Sequence, residues 1–405
     1  MESSLDERLE RCSLAKDHHQ EEEEEEEEDP NTKWLARLPQ EIIVEVLLRL
    51  PVRSLSRFRC VSKPWRSLIS SSKFMNSNLK KSNEHERDDN YSNRSLLLVS
   101  MVSLVINMHS CSLHSVIHDK SSVKLHEVEP PKRCFYPALY ILGSCNGIFG
   151  ILEGYHDTML WNPTIKHLKK LPNSDTNYRR YKIFSYGFGY DELNDDYKVV
   201  EICCYARLGI NRETIVNVYS LKSNSWRRIQ DYEGGMISGS PGVFFNGVLH
   251  WLTTHRDGLK RVWSILSLEI SSETHGTRLM LPQSENGFDP MLGVLKGRLC
   301  VFCNYYQQKM DVWMMNEYGN NESWSKFASI PYSLDIRGRI LPLSVSKSGE
   351  ILVRCGYSFM LYNKGDGSFS DTAVKMDDPT SLDEAVMYTE SLVSPYLYDD
   401  ARDQI

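Results

Sequence analysis

The rhythm of apolar and polar positions changes once along this chain, and the change divides it in two. Near the start, Ile42, Ile43, Val46, Leu47 and Leu50 recur at i, i+1, i+4, i+5 and i+8, one face of an α-helix. Pro51 ends that helix, because proline forces the residue before it out of the helical region. Ser54 is placed to cap a second short helix carrying Leu55, Phe58 and Val61. Ser62 caps a third, with Pro64 tolerated in its first turn and Trp65, Leu68 and Ile69 on its inner side. The run Ser70-Ser71-Ser72 closes the group. The pattern predicts a small all-α module of three helices over residues 34–81, followed by a polar linker over 82–94.

From about residue 95 the helical period gives way to short runs of Val, Ile, Leu, Tyr and Phe between clusters of Gly, Asn, Asp and Ser. That texture predicts a large all-β domain over 95–400. It repeats. Anchors at Trp161, Tyr219, Leu268, Trp313 and Tyr362 lie 58, 49, 45 and 49 residues apart. Between them fall hairpins turning on glycine: Cys145-Asn146-Gly147-Ile148, Phe245-Asn246-Gly247-Val248, Leu295-Lys296-Gly297-Arg298 and Lys347-Ser348-Gly349-Glu350. Asn-Gly between apolar runs is a strong hairpin signal. A four-stranded unit recurring at this period predicts a β-propeller-like domain of about six blades. Five units are clear, and residues 95–130 are the place for a sixth.

Charge sharpens the division. Residues 1–33 carry 4 Lys/Arg against 14 Asp/Glu, including the unbroken run Glu21 to Glu28. Such a run repels itself and has no apolar surface to bury, so it predicts a disordered acidic tail. Residues 34–81 carry 10 Lys/Arg against Glu41 and Glu45 alone, a basic module suited to an acidic partner. That module is also greasier than three short helices can hide, which predicts that something else covers part of it. No apolar run approaches the length that spans a bilayer, and the polar, acidic start does not read as a secretory signal. The expected compartment is therefore cytoplasm, nucleus or both, where the ten scattered cysteines stay reduced.

Catalytic constellations are not evident. The chain has no Walker A loop, no G-x-G-x-x-G, no G-x-S-x-G elbow and no H-E-x-x-H. Cys300 and Cys303 form a C-x-x-C without a second pair, and on a strand they would point to opposite faces. Asp191, Asp195 and Asp196 read as a polar turn. No metal or cofactor is expected.

Leu38-Pro39 through Pro51-Val52, continued by Ser54-Leu55 through Leu68-Ile69, resembles the F-box motif. Gly143-Ser144-Cys145-Asn146-Gly147, Leu160-Trp161-Asn162-Pro163-Thr164, Phe188-Gly189-Tyr190-Asp191, Asn246-Gly247-Val248-Leu249-His250-Trp251 and Tyr388-Thr389-Glu390-Ser391-Leu392-Val393 resemble the F-box-associated domain of plant F-box/kelch-repeat proteins. The resemblance implies docking on a Skp-type adaptor, generally acidic, and through it on a cullin within a ubiquitin ligase. It implies a non-catalytic role: the β domain holds a target protein, whose identity nothing in the sequence selects, near a ubiquitin-charged enzyme. Carried over position by position, the adaptor-docking residues would be Leu38, Pro39, Ile42, Leu47, Leu50, Pro51, Leu55, Val61 and Trp65, with Val46 and Phe58 given mainly to internal packing. Candidate target loops are Arg179-Arg180-Tyr181, His255-Arg256-Asp257 and Tyr305-Tyr306-Gln307, polar and aromatic between strands. No membrane or nucleic-acid partner is expected. A non-ligase scaffold bound to the adaptor, a propeller enzyme with paired carboxylates at its centre, and a nucleic-acid binder using the basic module are the competing readings.

Overall fold

The computed structural model describes residues 39–87, 94–103, 105–131, 139–154, 156–176, 183–204, 214–257, 260–282, 287–306, 308–332, 338–376 and 382–398. The acidic tail and Leu38 lie outside them. The chain divides into two units, Met1–Leu47 and Leu48–Ile405. The described part of the first is Pro39 and α1 (Gln40–Leu47), the helix that the apolar period predicts.

The second unit begins with three helices, α2 (Val52–Phe58), α3 (Lys63–Ile69) and α4 (Ser72–Arg87). Ser62 caps α3 as expected, its hydroxyl accepting from the Trp65 backbone N–H at 3.3 Å. Ser54 does not cap α2: the helix starts at Val52 behind Pro51, whose fixed φ suits the position. The serine run does not end the module either. Ser71 accepts from the Phe74 N–H at 3.3 Å and so opens α4, which buries Phe74, Met75 and Leu79. The helix then runs through residue 87, so the first part of the expected linker is helical, and residues 88–93 lie outside the described residues.

The remainder is β. β1 (Arg94–Val102) and β2 (Val105–Ser112) form a hairpin; a short helix, α5 (Leu113–His118), leads to β3 (His126–Val128). A first complete sheet follows as β4 (Leu139–Cys145), β5 (Ile148–Glu153), β6 (Asp157–Asn162) and β7 (His167–Lys170). The second is β8 (Ile183–Asp191), β9 (Asp196–Cys204), β10 (Thr214–Ser220) and β11 (Ser225–Arg228). In the third, β14 (Val248–Asp257) and β15 (Lys260–Glu269) are central, and both outer positions are split in two. β12 (Met236–Ile237) and β13 (Val243–Phe245) pair with β14, while β16 (Thr274–His275) and β17 (Leu279–Met280) pair with β15. The fourth is β18 (Asp289–Leu295), β19 (Arg298–Tyr305), β20 (Lys309–Met315) and β21 (Trp324–Pro331). The fifth is β22 (Ile340–Val345), β23 (Ile351–Cys355), β24 (Ser358–Tyr362) and β25 (Phe369–Asp371).

The last strand, β26 (Leu382–Thr389), returns to pair antiparallel with β1 and completes a sixth sheet of order β26-β1-β2-β3. Residues 95–130 thus do belong to a sixth blade, but its first strand comes from the other end of the domain. Each anchor residue falls on the third strand of its blade: Trp161 on β6, Tyr219 on β10, Leu268 on β15, Trp313 on β20 and Tyr362 on β24. At Asn146-Gly147 and Asn246-Gly247 both turn residues have positive φ, the conformation that makes these pairs natural hairpin turns.

Six hydrophobic clusters lie between neighbouring blades and close the ring. Strand alternation builds them. Along β1, Leu96 and Leu98 face the fifth blade, while Leu97 and Val99 face the first. Cys300 and Cys303 enter different clusters, as their spacing on a strand requires, and burial pushes both thiols up to about 12.

Candidate functional site

In an antiparallel blade the turns alternate between the two ends of the sheet. First-to-second-strand turns therefore lie on one face of the ring, and second-to-third turns on the other. Helix α4 lies against the first of these faces. Its Met75, Asn76, Leu79 and Lys80 wall a cleft of about 450 Å³ with Asn146, Tyr190 and Asp195 of the ring. Leu79 joins the cluster shared by the first two blades.

Helix α2 meets the same face at the sixth blade. Arg53 donates through Nε to Glu390 Oε1 at 2.9 Å and through Nη2 to the Ser110 hydroxyl at 2.8 Å; Ser95 also donates to Glu390. Burial alone would lower the Arg53 pKa, but the Glu390 carboxylate outweighs it and holds the guanidinium above its ordinary value. Beside the pair is a cleft of about 190 Å³ lined by Pro51, Val52, Ser112 and His126.

The stretch after β26 continues the junction. Ser391 donates to the Asn146 carbonyl, and Asn162 Nδ2 donates to the carbonyls of Ser391 and Val393 at 3.0 and 2.8 Å. Three of the motifs quoted above thereby meet in space.

The residues carried over for adaptor docking separate into two groups. Pro39 and Pro51 are exposed, as are Ile42 at 48% and Val61 at 64% of their surfaces. Leu50 and Trp65 are half-buried, Trp65 set edge-on to Phe58 with ring centroids 5.6 Å apart. Leu47 and Leu55 are buried, where the resemblance implied docking surface. Val46 departs the other way. It is 54% exposed, because α1 shows solvent more of its apolar stripe than internal packing would need. Exposed basic side chains on α2 and α3 are Arg57, Lys63 and Arg66.

Of the expected target loops, Arg179-Arg180-Tyr181 and Gln307 lie outside the described residues, as do the side chains of Arg256 and Asp257. Tyr306 is 66% exposed in the β19–β20 turn. Two equivalent turns carry exposed apolar groups that sequence reasoning missed: Tyr357 between β23 and β24, and Val102 with Val105 at the strand ends flanking the β1–β2 turn. These three turns belong to adjacent blades and lie on the face opposite α4. Only the recurrence of second-to-third turns marks them, and it becomes usable once strand order is known.

The acidic turn is structural. Asp191 accepts from the backbone of Leu193 and Asn194 and from Lys198 at 2.8 Å, while Asp196 accepts from Ser220 and the Lys222 N–H. Among the described residues no cluster of three or more His, Cys, Asp or Glu is placed to hold a metal ion.

Residues 98–395 match the F-box associated beta propeller domain, and residues 35–77 match the F-box domain. An F-box/kelch-repeat protein of Arabidopsis thaliana is 32% identical over 367 residues, which cover 88% of this chain and 96% of that protein. The F-box protein CPR1 of Arabidopsis thaliana is 31% identical over 386 residues, 89% of each chain. The solved structure of TolB from Acinetobacter baumannii overlays with a TM-score of 0.41 at 9% identity, covering 79% of this chain and 73% of that one. An F-box ahead of a six-bladed ring, matched over most of its length, makes this chain a member of the family of F-box proteins with an F-box-associated β-propeller.

Proposed function

We propose that this chain is the substrate-recognition subunit of a Skp–cullin–F-box ubiquitin ligase. The F-box helices dock on a Skp-type adaptor, and the ring face opposite α4 binds the protein to be modified. The chain itself performs no chemistry. It raises the local concentration of a target beside a ubiquitin-charged enzyme, and proximity alone accelerates transfer. The compartment that suits this work is cytoplasm or nucleus.

The observation that carries the docking half is the exposure of Ile42, Val46 and Val61 in the F-box. Covering one such side chain contributes about 1.5–3 kcal/mol. Arg57, Lys63 and Arg66 give the same module a charge that an acidic partner complements. The target half rests on Tyr306, Tyr357 and Val105, because tyrosines and apolar groups on loops of a rigid scaffold are the usual material of protein recognition.

Capture of a purified Skp-type adaptor by the full chain tests the reading. Wild type should retain adaptor and cullin together, and Ile42→Asp with Val61→Asp should lose both. Undiminished capture by the double variant would refute the docking surface. Capture of adaptor without cullin would favour a non-ligase scaffold.

A further inference from the structure

The proposed function leaves one motif unused. Tyr388 through Val393 contributes nothing to the exposed apolar group of the F-box and lies away from the target face. Its contacts explain it. Glu390 holds Arg53 of α2. Ser391 is gripped by Asn162 and bonded to Asn146, both of the first blade. Val393 shares a cluster with Leu79 of α4. Three residues thus touch two helices of the F-box region and the blade beside them. The group also follows directly on the strand that closes the ring, so its backbone starts from an anchored point.

We infer that Glu390–Val393 is a clasp that fixes α2–α4 on the ring, and that Arg53 and Glu390 are positioning residues of the ligase. The claim about the ligase rests on the function proposed above; the clasp does not. Arg53 reaches Glu390 through both Nε and Nη2, and the carboxylate is only 13% exposed. A charge-assisted pair of this kind is directional and holds the helix in one orientation. Orientation matters because the chain acts by proximity. A target on one face and an adaptor on the F-box meet productively only if the link between them is stiff, whereas a swivelling link spreads the target over a larger volume and lowers its effective concentration.

The test uses the full chain with Arg53→Ala, Glu390→Gln and the exchanged pair Arg53→Glu/Glu390→Arg. Amide hydrogen exchange reads the clasp. Both single variants should exchange at least tenfold faster in α2, with β18–β20 unchanged and the exchanged pair restored. Unchanged exchange in α2 would overturn the clasp. Self-ubiquitination in a reconstituted ligase reads positioning. The single variants should lose at least fivefold in transfer rate at saturating adaptor, with adaptor affinity within twofold of wild type and the rate recovered by the exchanged pair. Faster exchange with an undiminished transfer rate would overturn the positioning role. If wild type binds no adaptor, the ligase reading and the positioning role fall together, while the exchange data still decide the clasp.

Discussion

A Cβ placed on Gly147 would stand 2.7 Å from the Ser391 Cβ and 2.8 Å from the Thr389 carbonyl oxygen. Gly147 also has φ of +78°, which side chains disfavour. Gly247 occupies the equivalent turn of the third blade at φ +76° with nothing within 4 Å. The two glycines separate backbone strain from crowding. Gly247→Ala should cost about 1 kcal/mol, and Gly147→Ala about 2–4 kcal/mol, because the clasp must move. Equal losses in chemical denaturation would mean that Ser391 yields freely.

Exposure divides the F-box residues by consequence. Leu55 is fully buried, so Leu55→Ala should destabilise the fold by about 2–5 kcal/mol. Ile42→Ser should leave stability within about 0.5 kcal/mol yet weaken adaptor binding by roughly 10- to 100-fold. Calorimetric titration beside a melting curve distinguishes the two effects, and a stability loss in Ile42→Ser would contradict its exposure.

Lys198 is almost wholly buried between Asp191 at 2.8 Å and Glu273 at 2.9 Å, and Glu273 also pairs with Arg227. Burial would raise the Asp191 pKa, but Lys198 and Asn194 outweigh it and hold the carboxyl below its ordinary value. Its contribution is present above the ordinary carboxylate range and is lost as pH falls through the depressed value. Lys198→Met leaves the buried Asp191 without its cation, while Glu273 keeps Arg227, and should cost about 3–5 kcal/mol at neutral pH. A denaturation midpoint close to wild type would rule that out.

His250 supplies a second pH dependence. Its ring is buried, with Nε2 2.9 Å from the Tyr318 hydroxyl, and burial lowers its pKa from 6.5 to about 4. The unfolded chain therefore binds a proton that the folded chain refuses between those values. Stability from this group is full above pH 6.5 and falls as pH drops toward 4, by about 3 kcal/mol in all. His250→Gln should flatten that part of the curve, and an unaltered slope would assign it elsewhere.

Blade rhythm was legible because it is local. Each third strand repeats an apolar anchor near a turn, and short-range chemistry sets both. Ring closure was not legible, since pairing of Leu97 with Val386 joins residues far apart in sequence and leaves no mark on either segment. The serine run misled for a physical reason. Serine both breaks a helix and caps the next one, and only the burial of Phe74 and Leu79 shows which role Ser71 takes. The positions carried over by resemblance differ in exposure for the same kind of reason: Ile42 and Leu47 sit on one apolar stripe, and periodicity does not say which side of it meets water.

Because β26 completes the blade that β1 began, synthesis must pass Thr389 before the circle exists. Until then a nascent chain leaves the ribosome as an open arc, with Leu96 and Leu98 at one end lacking the fifth blade and the strand that will cover them. Cellular chaperones should engage this protein late in translation, and a premature stop anywhere before residue 382 should yield an aggregating fragment rather than a shorter working protein.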